Sequence, residues 1–268
     1  MKKIIVLFCA FALTVAAWPQ GVINDGNARW EYNAGGSTDF QPDSGTDHLF
    51  LNWWWYRVNS AIGTDTQENR FPFPADSQSY VANVANMGWA FAISDPRGDI
   101  PIFDAGLRVQ LNDGASPGEA TVRQEMLITN TSTGTLSISI FNFADFDVGG
   151  SFAGDSGTMA GDIMTITDVA SGDFIDFFGD GANAFQVVDW PGLTNMLDDA
   201  GITNLDNTGM PYGGPDFTGA FQWNLSIPVG QQVTINEGIS ANVPIPEPAT
   251  LLILGGALAA LAARRRRK

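Results

Sequence analysis

Apolar and polar residues alternate with a period of two along much of this chain. Leu107, Val109 and Leu111 are separated by polar neighbours, and so are Leu136, Ile138 and Ile140. Phe221, Trp223, Leu225 and Ile227 alternate with Gln222, Asn224 and Ser226. Each run presents one apolar and one polar face, as an antiparallel strand does when one side lies on a core. Turn signals separate the runs: Asn112-Asp113-Gly114, Ser132-Thr133-Gly134, Gly149-Gly150 and Pro228-Val229-Gly230. The stretch Met126 to Asn130, a short polar loop and Thr135 to Phe141 together predict a hairpin. One segment follows a different period. Leu193, Met196, Leu197 and Ala200 fall at helical spacing, with Pro191 near the start and Gly201 just beyond the end. Short strands at this spacing predict an all-β fold, an antiparallel β-sandwich of jelly-roll type with one short helix. The 30 glycines and 14 prolines among 268 residues agree with many turns and argue against a helical bundle.

The two ends break this pattern. Lys2 and Lys3 precede an apolar run from Ile4 to Val15, and Val15-Ala16-Ala17 supplies small residues at a cleavage position. Residues 1–17 therefore read as a secretory signal peptide. At the other end, Pro244, Pro246 and Pro248 end any strand, and Ala249 to Ala263 carries no charge. As a helix, residues 249–263 would extend about 22 Å, short of the ~30 Å hydrocarbon core. The flanking residues compensate. Arg264, Arg265, Arg266, Arg267 and Lys268 form a basic cluster that the positive-inside rule keeps cytoplasmic. Residues 18–243 are left as one exported domain, and residues 244–268 as a tail.

Pro246-Glu247-Pro248, a short apolar helix and a terminal arginine cluster, in that order, closely resemble the PEP-CTERM sorting signal. The same motif is also labelled an ice-binding-protein C-terminal domain, a label without evidence of ice binding. The resemblance spans Val243 to Lys268 and leaves the cargo domain uncharacterised. It implies export from a Gram-negative bacterium that makes extracellular polysaccharide. It also implies transient anchoring in the inner membrane and removal of the tail by an exosortase-type enzyme. Pro246, Glu247 and Pro248 would then be recognition residues. The protein would end at the cell surface or outside the cell, in company with exopolysaccharide or biofilm.

Charge narrows what the domain can bind. The whole chain carries −16, but seven of its thirteen basic residues lie at the two ends. Between Trp18 and Val243 there are six arginines, no lysine and 28 acids, which leaves −22. Such a surface repels phosphate backbones and excludes nucleic acid as a partner. Cys9 is the only cysteine and His48 the only histidine. No internal disulfide, cysteine chemistry or two-histidine metal site is available. There is no G-x-S-x-G elbow and no phosphate-binding loop, and His48 beside Asp47 reads as a structural, hydrogen-bonded histidine. No catalytic residue is assigned and no cofactor is required.

Two local features carry the remaining chemistry. Aspartates outnumber glutamates 23 to 6. Asp145, Asp147 and Asp155, near glycines, are calcium candidates, since Ca²⁺ takes six to eight oxygens from a turning backbone. Asp162, Asp173, Asp176 and Asp180 extend the acidic stretch, and a solvated acidic surface is the plainer reading. The second feature is Trp53-Trp54-Trp55-Tyr56. On a strand, Trp53 and Trp55 face one way while Trp54 and Tyr56 face the other. Either both faces are buried, one beneath a loop, or one pair is an exposed carbohydrate contact. The sequence thus points to a non-catalytic surface or matrix protein, with a carbohydrate-binding module or a secreted glycoside hydrolase as alternatives.

Overall fold

The computed structural model describes residues 21–33, 37–43, 45–60 and 65–243. The segments expected to be a signal peptide, at 1–17, and an apolar helix, at 249–263, lie outside the described residues, as does the rest of the tail. Among the described residues, no helix is long and apolar enough to cross a membrane. The described residues form sixteen strands. The first eight are β1 (Gly21–Asp25), β2 (Ala28–Tyr32), β3 (Thr38–Gln41), β4 (Leu49–Val58), β5 (Asn69–Arg70), β6 (Ser77–Val81), β7 (Val84–Ile93) and β8 (Ile100–Asp113). Then come β9 (Glu119–Asn130), β10 (Leu136–Phe146), β11 (Asp155–Ala160), β12 (Ile163–Asp168), β13 (Phe174–Gly179) and β14 (Ala184–Asp189). Helix α1 (Gly192–Asp198) precedes β15 (Phe217–Ile227) and β16 (Gln232–Asn242).

All pairings between these strands are antiparallel. They build a five-stranded sheet, β14-β15-β10-β4-β5, and an eight-stranded sheet, β11-β12-β13-β16-β9-β8-β7-β6. A small sheet, β1-β2-β3, closes one flank. The two large sheets face each other across an aromatic core. Phe177 of β13 packs on Phe146 of β10 and Phe221 of β15, and Tyr56 of β4 on Phe91 and Phe103 of β7 and β8. The small sheet adds Trp30, Tyr32 and Phe40, all buried.

Two sequence expectations are corrected here. In a jelly roll, successive strands alternate between sheets. Here β6 to β9 and β11 to β13 run as meanders within one sheet, with β16 joining them. The sandwich is therefore not of jelly-roll type. Nor do β9 and β10 form a hairpin, because β9 belongs to the eight-stranded sheet and β10 to the five-stranded one. Their connection is a corner, and the β15–β16 connection is a second corner beside it. Asn130 holds the two together. Its amide side chain donates to the carbonyls of Gly134 and Ile227, its own carbonyl accepts from Gly230 N–H, and its N–H donates to Gln231.

The tryptophan run lies at the centre of the five-stranded sheet. Trp53, Trp54 and Trp55 are at most 1% exposed. Trp54 faces the opposite sheet, donating from Nε1 to Gln124 Oε1 at 2.9 Å and stacking on Trp223. Trp55 lies on the outer face, where α1 covers it and Asp198 accepts its Nε1–H at 2.8 Å. Trp53 is enclosed by Tyr32, Phe73 and Trp89. Tyr56, half-buried, is walled by three phenylalanines. The carbohydrate contact weighed for Trp53, Trp54, Trp55 and Tyr56 thus has no free tryptophan face. Both sides of the strand are covered, one by a sheet and the other by the helix and the loop that follows it.

Candidate metal centre

Acidic side chains converge at one end of the five-stranded sheet. Strand β10 carries no charged residue until Asp145, where a β-bulge between Asp145 and Phe146 shifts its register against β4. Bulges re-aim side chains at strand ends. Here Phe146 packs into the core while Asp145 and Asp147 flank it. Asp145 pairs with Thr218 of β15, and this register brings Asp216 alongside. One carboxylate oxygen from each of Asp145, Asp147 and Asp216 lies within 4.8 Å of the other two. Asp145 is 3% exposed, and its Oδ1 has no hydrogen-bond partner.

Asp155, the first residue of β11, adds a fourth carboxylate. It is also 3% exposed, and neither of its oxygens has a hydrogen-bond partner, although the nearby Val148 amide offsets part of the burial. Burial, then the charges of Asp216, Asp147 and Asp155, push the Asp145 carboxyl up to about 8. Burial and Asp168 push Asp155 up to about 7. Asp147 and Asp216 are raised as well, by burial first and then by an acidic neighbour. None of the four ion pairs among the described residues reaches this group. The arrangement is one of oxygen donors without a compensating cation.

Neighbouring residues hold the carboxylates in place. His48 is fully buried, and its Nδ1 accepts the Gly149 N–H at 3.0 Å, which fixes the turn after Asp147. Its backbone carbonyl accepts the Asp147 N–H at 3.1 Å. Burial lowers the pKa of this imidazole, so it remains a neutral structural histidine. On the other side, Tyr212 Oη donates to Asp189 at 2.6 Å and accepts the Asp216 N–H at 3.0 Å. The Asp216 carbonyl accepts the Trp190 N–H, and the exposed Trp190 ring meets Phe50 edge-on at 5.9 Å.

Sequence reading placed Asp145, Asp147 and Asp155 in one stretch; the structure brings Asp145 and Asp147 together with Asp216 and leaves Asp155 outside that 4.8 Å cluster. It sends Asp162 to the β11–β12 turn, where it accepts from Gly181 N–H, and ties Asp176 to Thr165 on β12. Asp216 was missed. It lies 69 residues beyond Asp147, and only the β10–β15 register brings it near. Glu237 was missed too. It is 1% exposed, both its oxygens lack partners, and burial holds its carboxyl well above the usual range.

A second feature is a groove of about 510 Å³ on the outside of the eight-stranded sheet, lined by Arg123, Glu125, Asp162, Ile163, Phe178 and Asn236 among others. The Phe178 ring lies over Gly238 on the neighbouring strand, where a Cβ would meet it at 2.2 Å.

Among solved structures, the fold is similar to that of an Escherichia coli K12 protein provisionally assigned as an aldose 1-epimerase. The TM-score is 0.51 at 9% identity, over 84% of this chain and 99% of that one. A bacterial glucoamylase bound to acarbose aligns at TM-score 0.47 and 9% identity, over 89% of this chain and 34% of that one. A polysaccharide lyase aligns at TM-score 0.44 and 10% identity, over 83% and 34%. The first likeness establishes a shared β-sandwich fold. Comparison with curated protein sequences finds no significant match. Residues 244–267 match the PEP-CTERM protein-sorting motif, so the tail of this chain is a sorting signal of that kind.

Proposed function

We propose that residues 18–243 are the cargo of an exported, non-catalytic cell-surface or matrix protein, delivered by its tail and freed by an exosortase-type enzyme. The match of residues 244–267 to the sorting motif carries this reading. The non-catalytic assignment draws support from His48, the one histidine of the chain, which is fully buried with its Nδ1 engaged by the Gly149 N–H. The test is replacement of Pro246, Glu247 and Pro248 by alanine in a producing host, followed by fractionation and intact-mass analysis. The natural chain should appear outside the inner membrane in a form shortened at its C-terminus, and the variant should stay full-length in the membrane. Identical mass and location for the two would refute the reading.

A second reading, a carbohydrate-binding module within the exopolysaccharide matrix, is favoured by the outer groove and moves away from the tryptophan run. An apolar floor of Ile163 and Phe178 beside polar Arg123, Glu125 and Asn236 suits a sugar chain, which has apolar faces and hydroxyl edges. Retention on immobilised polysaccharide from the producer, lost in Arg123→Ala and Ile163→Ala, would support it. Passage of the natural protein without delay would end it.

A further inference from the structure

We propose that Asp145, Asp147, Asp155 and Asp216 form the protein part of a single divalent-cation site of calcium class. The convergence of three carboxylates within 4.8 Å is one observation. The second, independent one is Asp155, which that triad does not include. It is 97% buried, interacts through its charge with Asp145, Asp147 and Asp216, and receives no side-chain hydrogen bond at either carboxylate oxygen, the Val148 amide being the one donor near them among the described residues. A buried carboxylate is stable when a hydrogen bond, an ion pair or a metal meets its oxygens. One backbone amide cannot satisfy two carboxylate oxygens, and no ion pair among the described residues reaches them, so a cation would complete their coordination.

The donor chemistry selects the ion. All four side chains offer hard oxygen, with no sulfur, and the imidazole of His48 is turned to the Gly149 amide. Such a set suits calcium, magnesium or manganese over zinc or copper. Calcium is preferred because the donors come from four separate segments and not from a compact octahedral cage. Ca²⁺ accepts six to eight oxygens in variable geometry and fills the remainder with water or backbone carbonyls. The ligands lie at the end of β10, in the turn after it, at the start of β11 and in the loop before β15. An ion there would clasp segments up to 71 residues apart, counted from Asp145 to Asp216. The proposal is independent of the sorting reading, because none of its four ligands lies in the residues matched by the sorting motif.

The test uses the full-length chain purified in detergent and stripped with EDTA. Calorimetric titration with CaCl₂ should give one ion per chain. Thermal unfolding should shift upward by several degrees in CaCl₂ and return with EDTA, since an ion that binds only the native state stabilises it. Asp147→Asn and Asp216→Asn, both at half-buried positions, should fold in EDTA as judged by circular dichroism and lose both the heat and the shift. Asp155→Asn should weaken binding at least tenfold. Absence of heat and shift in the natural protein with both CaCl₂ and MgCl₂ would overturn the site. So would an equal shift in the variants, or in NaCl of matched ionic strength, which would reveal general screening of the acidic surface. Tighter binding of Mg²⁺ than Ca²⁺ would overturn the calcium class.

Discussion

Replacing Trp54 by alanine should nearly unfold the domain, and the loss can be worked out contact by contact. Trp54 is 1% exposed and stacked on Trp223 with ring centroids 5.9 Å apart. Removing a buried tryptophan ring costs about 3–5 kcal/mol in burial and cavity. The same change strands Gln124 Oε1, which accepts the indole N–H. Gln124 cannot turn away, because its Nε2 donates to Asn52 Oδ1 at 2.6 Å, and Asn52 is tied to Asn142. An orphaned buried acceptor costs about 1–3 kcal/mol more. The sum, about 4–8 kcal/mol, is comparable to the whole stability of a domain, about 5–15 kcal/mol. Trp54→Phe keeps most of the ring and loses the hydrogen bond, so it should fall well between alanine and the natural protein. Trp190→Ala, at a position 38% exposed, serves as the surface control. Urea unfolding followed by far-ultraviolet circular dichroism measures all three, with the slope checking that the unfolded states compare. A Trp54→Ala protein that loses less than about 1 kcal/mol at unchanged slope would refute the reasoning.

Three further outcomes are expected. Arg57→Met should cost about 3–5 kcal/mol, because it leaves Glu68 buried without its ion-pair partner; adding Glu68→Gln should restore part of the loss in the same urea assay. Glu237→Gln should raise the melting temperature at pH 7. The native state holds a proton on Glu237 that the unfolded chain releases above its ordinary pKa of 4.5, so stability falls as pH rises from there toward the raised native value. That slope, up to about 1.4 kcal/mol per pH unit, should be missing from a pH series on the variant, with Tyr32 the titratable neighbour whose charge couples to it. Finally, Gly238→Ala should cost about 1–3 kcal/mol through overpacking; adding Phe178→Ala should relieve it only in part, since the Val122 carbonyl also lies 2.7 Å from the new Cβ.

The strands were legible where one face is wet. Leu107, Val109 and Leu111 of β8 are buried at 0–2%, as their alternation predicts. The same pattern misled where a loop covers the polar face. Ser139 and Gln222 look solvent-facing in sequence, yet both are buried, because the chain after α1 lies over them. Gln222 accepts the Leu205 N–H, while Arg57 reaches across to Thr203 and Asn204. A polar side chain bonded to a loop and one bonded to water leave the same mark on the sequence. Turn residues were equally ambiguous. Ser132-Thr133-Gly134 announces a reversal but not whether the next strand joins the same sheet, and Asn130 makes it a corner. At the acidic site, the local members were readable from spacing. Asp216 depends on pairing between distant strands, which period-two alternation does not encode.

The order of strands in the larger sheet bears on how the protein crosses a membrane. Strand β16 is the last of the domain, yet it lies in the middle of that sheet, between β13 and β9. Without it the sheet is two separate ribbons, β6 to β9 and β11 to β13. A chain led outward by its N-terminus delivers residues 232–242 last, immediately ahead of the sorting signal. The sheet can close only after nearly every residue of the domain has left the translocation pore. A chain whose export starts before synthesis ends never meets its closing strand in the cytoplasm. For a chain exported in that direction, this topology would leave the larger sheet unclosed until residues 232–242 had crossed.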